Sequence, residues 1–195
     1  MSAGIFDRYG KYYDLLYRDK DYNAEVTYVT GLLRSARPDI KRLLEFGSGT
    51  GRHGRLLAEQ GFDVLGVEQS ATMVAGARQS GATGATTSGG KFDCRIGDIR
   101  AMRADGKFDA VISLFHVVSY QTLNEQVIQT FGNAARHLAP GGIFVFDVWH
   151  GPAVLTEKPS VRVKRFEDGQ TWLVRLAYGP CFTSNISSSS NTSKP

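Results

Sequence analysis

The sequence predicts an α/β fold, a doubly wound parallel sheet that follows a helical segment and precedes an antiparallel hairpin. Between residues 42 and 149, apolar runs typical of buried strands alternate with stretches of helical periodicity. Strands that are apolar on both faces indicate a parallel sheet with helices on each side. Residues 159–178 instead alternate apolar and polar side chains around Asp168-Gly169, a pattern typical of a β-hairpin.

The size and composition of the chain are those of a globular protein with one domain. Its 195 residues are enough to bury a sizeable core, and 42% are apolar and 22% charged. The apolar runs are far shorter than the roughly 20 residues that span a bilayer, and the N-terminus lacks an apolar signal core. We therefore expect a cytoplasmic protein without a membrane partner. Cys94 and Cys181, the only cysteines, argue against a disulfide framework and a cysteine-rich metal site.

The formal net charge of +4 is concentrated near the C-terminus. Residues 41–150 carry almost equal numbers of acidic and basic side chains, whereas residues 151–195 carry an excess of basic ones, half of them in VRVKR at 161–165. This patch is much smaller than the broad basic face of a duplex-binding protein. A nucleic-acid partner is therefore not expected.

Strands and helices are predicted in alternation along the middle of the chain. The predicted strands are 42–46, 63–68, 92–98, 108–115 and 141–149. Helices are predicted at 51–61, ending at Gly61, and at 71–79, capped by Ser70, with a loop at 81–90. In such a sheet, ligands bind beyond the carboxyl ends of the strands.

A third helix is predicted before the last strand. It begins with the capping box TLNE, in which Thr122 is the cap and Glu125 lies three residues on. Pro140-Gly141-Gly142 closes it. Its expected apolar face consists of Val127, Ile128, Phe131, Ala135 and Leu138.

The glycine-rich turn LLEFGSGTGRHG (43–54) can be aligned with a binding motif in two registers. In one, GTGRHG (49–54) fits G-x-G-x-x-G and Glu68 ends the next strand, as in an NAD site. In the other, Gly47 directly follows the first strand, and Glu45 lies at the lip of the turn. A pyrophosphate about 4 Å from this carboxylate would cost roughly 4 kcal/mol near the surface. A ligand with an ammonium group and no phosphate, such as S-adenosylmethionine, is favoured instead, and NAD stays the weaker alternative.

Five segments resemble the motifs of class I S-adenosylmethionine-dependent methyltransferases, in the family's order. They are LLEFGSGTG (43–51), GVEQS (66–70), GDIR (97–100), FDAVISLFHVVSY (108–120) and LAPGGIFVFDVW (138–149). The resemblance implies a Rossmann-like fold with S-adenosyl-L-methionine across the first strands and S-adenosyl-L-homocysteine as the product. It implies four parts: a helical cap (1–40), the cofactor domain (41–150), a partial acceptor hairpin (151–183) and a disordered tail (184–195).

The resemblance also implies the residues that bind the cofactor. Glu68 would accept both ribose hydroxyls, because a carboxylate offers two acceptors to a diol. Asp98 would accept from the adenine amino group, the Ile99 amide would donate to the ring, and Met73 would cover one adenine face. The alternatives are that Glu68 is only a solvated glutamate, that Asp98 only caps a helix, and that Met73 only packs in the core. The full expected set is Tyr13, Tyr17, Glu45, Gly47, Ser48, Gly49, Gly51, Glu68, Gln69, Ser70, Met73, Asp98, Ile99 and Phe115.

His116 and Tyr13 are the candidate catalytic residues. His116 ends the fourth strand beside Phe115 and is either a general base, a substrate-orienting group or an inert histidine. Tyr13 and Tyr17 share one helical face, and their Y-D-x-x-Y pattern is similar to that of small-molecule N-methyltransferases, including those acting on amino sugars. The resemblance places this helix over the cofactor, and the alternative is that the tyrosines only anchor it. Lys20 and Asp21 are expected at the surface, and His53 and His137 are not expected to bind metal, so no metal is predicted.

Three functions remain open. The first is methyl transfer to an amine or hydroxyl of a small molecule, in particular a sugar or sugar nucleotide. The second, a nucleic-acid methyltransferase, is disfavoured because SLFH (113–116) stands where [D/N]-P-P-[Y/F] is expected. The third is a truncated S-adenosylmethionine-binding protein with little turnover, since class I folds finish with two further strands and this chain becomes serine-rich, its altered end starting near Gly179. Exposed sheet edges would favour a homodimer.

Overall fold

The computed structural model describes residues 13–79, 84–152, 161–167, 172–178 and 185–189, the last three ranges as backbone strands. The chain divides into two compact units. The first contains residues up to Asp14 and Asp19–Val148, and the second contains Leu15–Arg18 and the residues from Trp149 onward.

The first unit contains a six-stranded sheet. Its strands are β1 (Arg42–Phe46), β2 (Asp63–Glu68), β3 (Gly84–Ala85), β4 (Lys91–Ile96), β5 (Phe108–Ser113) and β6 (Leu138–Phe146). They lie in the order β3-β4-β2-β1-β5-β6, and only the β3–β4 pair is antiparallel. The chain therefore starts in the middle and winds out to both sides, so the predicted doubly wound sheet is confirmed.

Helices precede the first strand and connect the later ones. They are α2 (Tyr22–Ala36), α3 (Arg52–Glu59), α4 (Ala71–Gln79) and α5 (Asn124–His137), together with a 3-10 turn at Val117–Tyr120 and the short helix α1 (Tyr13–Leu16) at the start of the described chain. The predicted cap of α4 is confirmed, because the Met73 amide donates to Ser70 Oγ at 3.3 Å. Gly61 follows α3 with φ +91°, a left-handed conformation that ends a helix at little cost for glycine.

Alternate residues of β1 supply the cores on the two faces of the sheet. Leu43 packs in a cluster that includes Val29 of α2 and Leu57 of α3. Leu44 packs in a second cluster, which includes Ala134 of α5. Side chains alternate between the faces of a strand, so Glu45 is on the same face as Leu43.

The predicted apolar face of α5 is only partly correct. Phe131 packs on Phe144 and Phe146 of β6, and Leu138 packs against the core, but Ile128 and Ala135 are exposed. Ile128 is 70% exposed and Phe131 37% exposed. The buried residues are instead Thr130, Asn133, Ala134 and His137. The polar members of this face are buried because they hydrogen-bond main-chain groups, a form of burial that apolar periodicity does not report.

Both ends of α5 also differ from the prediction. The helix starts at Asn124, so Leu123 is the N-cap instead of Thr122, and Gln126 instead of Glu125 accepts from the cap amide, at 3.4 Å. It ends at His137 and β6 follows at once, which places the strand at 138–146 and leaves Trp149 outside it. An irregularity between Phe108 and Ala110 in the β5–β6 pairing accommodates the early start.

Two segments expected to be irregular contain strands. Within the predicted loop, Gly84 and Ala85 form β3 against β4, while residues 80–83 lie outside the described residues. In the second unit, β7 (Val161–Glu167), β8 (Trp172–Tyr178) and β9 (Asn185–Ser189) form an antiparallel sheet in that order. The predicted hairpin is thus present, with its Asp168-Gly169 turn outside the described residues. The expected disordered tail contains β9, whose serine-rich sequence has no apolar alternation to predict a strand.

In the part of the chain that the structure describes, no helix combines the length and the apolar character that crossing a membrane requires.

Candidate cofactor and active site

The glycine turn connects β1 to α3 at the carboxyl edge of the sheet. Gly47, Gly49 and Gly51 all have positive φ, at +75°, +55° and +78°. The amides of Gly47 and Ser48 donate to the Val67 carbonyl of β2, at 2.8 and 3.1 Å. A β-carbon on Gly47 would clash with Val117. The turn therefore requires glycine both for its backbone conformation and for its close packing.

Glu68 ties the turn to the next helix. Its Oε2 accepts from the Gly49 amide at 3.0 Å, and its Oε1 accepts from the Ser70 amide at 2.8 Å. The carboxylate thus lies at the end of β2, half-buried beside the crest of the glycine turn. Gln69, next to it, is exposed, whereas Ser70, which caps α4, is buried.

Glu45 does not lie at the lip of the turn, as the sequence suggested, but behind it. Its side chain is 1% exposed, because β1 directs this position towards α3 instead of the open edge of the sheet. A β-carbon on Gly54, in the first turn of α3, would lie 2.7 Å from Glu45 Oε2. Burial, together with the nearby charge of Glu68, raises the pKa of Glu45 to about 8.

Two buried oxygen atoms beneath the turn lack a hydrogen-bond partner among the described residues. These are Glu45 Oε2 and Ser48 Oγ. Buried polar atoms usually have a hydrogen-bond partner, which a bound group or a water molecule can supply. A carboxylate in this position favours a cationic group over a phosphate.

Two side chains flank the crest of the turn. A β-carbon on Gly49 would lie 4.0 Å from Met73 Sδ and 4.0 Å from Tyr13 Cε1. Asp14 holds the N-terminal segment in this position, since its Oδ1 accepts from Thr50 Oγ1 at 2.8 Å and from Arg52 Nε at 3.0 Å. The structure thus brings Tyr13 to the glycine turn, as expected. Tyr17 belongs to the second unit, whereas the other candidate residues belong to the first.

Asp98 and Ile99 lie after β4 in a loop stabilised by two residues that the sequence analysis missed. Arg100 Nη2 donates to Asp98 Oδ2 at 2.6 Å, and Arg100 Nε contacts both carboxylate oxygens at 2.9 and 3.0 Å. Hydrogen bonds from Arg100 hold the pKa of Asp98 below its usual range. Asn133 Nδ2 donates to the Ile99 carbonyl at 2.8 Å. The position of Arg100 two residues after Asp98 could have predicted this ion pair from the sequence. Nothing in the sequence indicated the contact made by Asn133 of α5.

Phe115 and His116 form a turn after β5 in which both residues have positive φ, at +65° and +62°. Asp147, just beyond β6, accepts from the Phe115 amide through Oδ2 at 3.1 Å and from the His116 amide through Oδ1 at 2.7 Å. Its Oδ2 also lies 3.5 Å from His116 Nδ1. The Phe115 ring is edge-to-face with Tyr13, with centroids 6.5 Å apart, so both candidate catalytic residues lie around Phe115. Asp147 was not predicted as a site residue, because it falls inside the strand predicted at 141–149, whereas β6 ends at Phe146.

Lys20 also reaches Phe115, with Nζ 3.8 Å from the ring centroid. Its side chain is only 14% exposed, so the surface position expected for it is wrong. Glu25 Oε2 accepts a hydrogen bond from Lys20 Nζ at 2.6 Å and lies 2.7 Å from His53 Nε2. Burial opposes ionisation of Glu25, but these hydrogen bonds and charges outweigh it and lower its pKa to about 2.

Main-chain groups contact both ring nitrogens of His137. His137 Nδ1 lies 2.8 Å from the Asn133 carbonyl, and its Nε2 accepts from the Ala104 amide at 3.0 Å. In residues 13–79, 84–152 and the three further strands, no group of three or more His, Cys, Asp or Glu side chains is placed to hold a metal ion.

The sequence matches known methyltransferases. The family described as "Methyltransferase domain" matches residues 43–142. The chain is 35% identical over 147 residues to a dTDP-3-amino-3,4,6-trideoxy-alpha-D-glucopyranose N,N-dimethyltransferase from Streptomyces venezuelae, covering 74% of this chain and 59% of that protein. It is 31% identical over 142 residues to a dTDP-4-amino-2,3,4,6-tetradeoxy-D-glucose N,N-dimethyltransferase from Saccharopolyspora spinosa, covering 72% and 54%. The chain thus spans little more than half the length of these curated relatives.

Solved structures agree with the fold. A sugar N-methyltransferase from a Streptoalloteichus species superposes with a TM-score of 0.71 at 31% identity, covering 84% of this chain and 64% of that one. An amino pentose methyltransferase from Micromonospora echinaspora, with S-adenosylmethionine bound, gives a TM-score of 0.68 at 30% identity, covering 85% and 67%. The sheet order, the glycine turn and these matches show that the chain belongs to the methyltransferase-domain family and has the class I, Rossmann-like fold.

Proposed function

We propose that the protein transfers a methyl group from S-adenosyl-L-methionine to the amino group of a sugar nucleotide. The observation that carries the proposal is the buried Glu45 carboxylate behind the glycine turn, with one oxygen unpartnered among the described residues. In the free protein this side chain keeps its proton near neutral pH. The ammonium of the methionine end would favour the ionised carboxylate, whereas a pyrophosphate would be disfavoured by it. The names of the relatives, which act on dTDP-linked amino sugars, support the acceptor class.

Residues at the carboxyl edge of the sheet would hold the cofactor. The glycine turn allows its close approach, Glu68 would accept from the ribose, and Asp98 with the Ile99 amide would bind the adenine. Met73 and Tyr13, on either side of Gly49, would enclose the nucleoside and the methionine end. When bound, the cofactor supplies a methyl group already activated by the sulfonium.

The protein's own residues then provide alignment and handle a proton. Holding the amine and the methyl carbon in line is worth roughly 7–11 kcal/mol of the barrier. A neutral amine loses one proton as it is methylated, and His116 and Tyr13, on either side of Phe115, are the groups proposed to accept or relay it. A hydroxyl acceptor would need a stronger base, which makes the amine the better acceptor here.

A second candidate is a protein that binds S-adenosylmethionine with little turnover. A homodimer formed through an exposed sheet edge stays a prediction, to be checked by light scattering.

Calorimetry and an activity assay together test the proposal. S-adenosylhomocysteine should bind and NADH should not, and the enzyme should methylate a dTDP-amino sugar but not the matching dTDP-hydroxyl sugar. Asp98→Asn should weaken S-adenosylhomocysteine binding roughly tenfold, because a charge-assisted acceptor is lost. Asp93→Asn, an exposed carboxylate in β4, is the matched control and should leave binding unchanged. Binding without transfer would favour the second candidate, and tight NADH binding would exclude both.

A further inference from the structure

Asp147 organises the turn that carries His116. Its two carboxylate oxygens accept from two successive main-chain amides, those of Phe115 and His116, at 3.1 and 2.7 Å. Both of these residues have positive φ, a backbone conformation that residues other than glycine rarely adopt. Such strained turns persist only where surrounding contacts impose them, and they cluster at functional sites. In this turn, the carboxylate of Asp147 makes those contacts.

The same carboxylate also lies beside the imidazole. Asp147 Oδ2 lies 3.5 Å from His116 Nδ1, and the His116 side chain remains 31% exposed. A carboxylate beside one ring nitrogen favours a proton on that nitrogen and leaves the other able to accept one. Asp147 therefore influences both the backbone and the side chain of the residue proposed to handle the proton of the acceptor.

We propose that Asp147 is a positioning residue for methyl transfer, acting through the Phe115–His116 turn without contacting the cofactor. This inference rests on the proposed function. Loss of Asp147 should disorder the turn and lower the rate of transfer. The glycine turn after β1 and Glu68 at the end of β2, which are proposed to bind the cofactor, keep their own hydrogen bonds.

The chain offers a matched control in Asp109. Its carboxylate also accepts from two successive amides, those of Lys41 and Arg42, at 2.9 and 2.8 Å. Asp109 is near the start of β5, at the opposite edge of the sheet from His116. Removing it costs the same kind of hydrogen bonds without reaching the site.

The experiment compares Asp147→Ala, Asp147→Asn and Asp109→Ala with the wild type, using a dTDP-amino sugar as acceptor. Asp147→Ala should lower kcat about 10- to 100-fold, the effect of a small misplacement of a reacting group. Asp147→Asn keeps one acceptor oxygen and should fall between Asp147→Ala and wild type. In both, the Kd of S-adenosylhomocysteine should stay within about threefold of wild type, since Phe115 is the only expected cofactor residue whose main chain Asp147 holds.

The controls decide the interpretation. Asp109→Ala should lower the melting temperature by an amount similar to Asp147→Ala but keep kcat within about twofold of wild type. A kcat that falls equally in Asp109→Ala, or that is unchanged in both Asp147 variants, would overturn the positioning role. A wild-type protein that binds S-adenosylhomocysteine but transfers no methyl group would overturn the proposed function itself and the inference with it.

Discussion

Glu68 accepts a hydrogen bond from the Gly49 amide at 3.0 Å, so the last residue of β2 holds the crest of the glycine turn. The two residues lie in neighbouring strand–turn segments, which the parallel pairing of β1 and β2 brings together. The carboxylate that stabilises the turn is thus the same one that is proposed to accept from the ribose of the cofactor.

Substitution of Glu68 tests that double role. Glu68→Gln should weaken S-adenosylhomocysteine binding by roughly tenfold or more, because an amide offers one acceptor oxygen in place of two. Titration calorimetry measures the effect. Gln69→Ala, at the exposed neighbouring position, is the control and should bind as wild type does; equal affinities for all three proteins would remove Glu68 from the site.

The glycines of the first unit are not equivalent. Gly47→Ala should destabilise the protein by about 1–3 kcal/mol, because φ is +75° and the new methyl would clash with the stiff side chain of Val117. A β-carbon added at Gly76, in α4, would meet no atom within 4 Å, so Gly76→Ala should stabilise the protein by up to about 1 kcal/mol. Urea unfolding of both variants checks the opposite signs.

Glu45 should make the folded protein less stable as the pH rises. Its pKa, about 8 when folded, lies above the ordinary value of 4.5. Between these two values the folded state holds a proton that the unfolded state has lost, so stability falls by up to about 1.4 kcal/mol per pH unit. Glu45→Gln removes this dependence, and its stability relative to wild type should therefore grow from pH 5 to pH 8. Urea unfolding at several pH values measures the two slopes, and parallel slopes would contradict the raised pKa.

Asn133 should be more important to stability than its apolar neighbours on α5. Its Nδ2 donates to the carbonyls of Ile99 and Met102 at 2.8 and 3.1 Å, and its Oδ1 accepts from Arg103 at 2.7 Å. Asn133→Ala removes all three hydrogen bonds, including the one to the buried Ile99 carbonyl, and should cost about 2–3 kcal/mol. Ile128→Ala, at a position 70% exposed, should change the free energy of unfolding by less than about 0.5 kcal/mol. A larger loss for Ile128→Ala in urea unfolding would restore the apolar face that the sequence predicted.

The helix α5 shows which features the sequence could predict and which it could not. Val127, Ile128 and Phe131 recur at helical spacing, and the helix itself was predicted within two residues at its start. The side that faces the sheet could not be predicted, because Asn133 and His137 are buried by hydrogen bonds to main-chain groups about 30 residues away in the chain. The same limit applies to the site, where Asp147 acts through partners that only the folded chain brings within reach.

By itself, the sequence determined that the chain forms a doubly wound sheet with a glycine turn after its first strand, and it determined the family. Local sequence patterns predict these features, namely strand and helix periodicity and the spacing of glycines. Only the tertiary structure decided that Glu45 lies buried behind the turn, that Asn133 supports Ile99 and that Asp147 holds Phe115 and His116. The reason is physical: a hydrogen bond or a buried charge depends on atoms far apart in the chain, and the packing of strands and helices sets their distance.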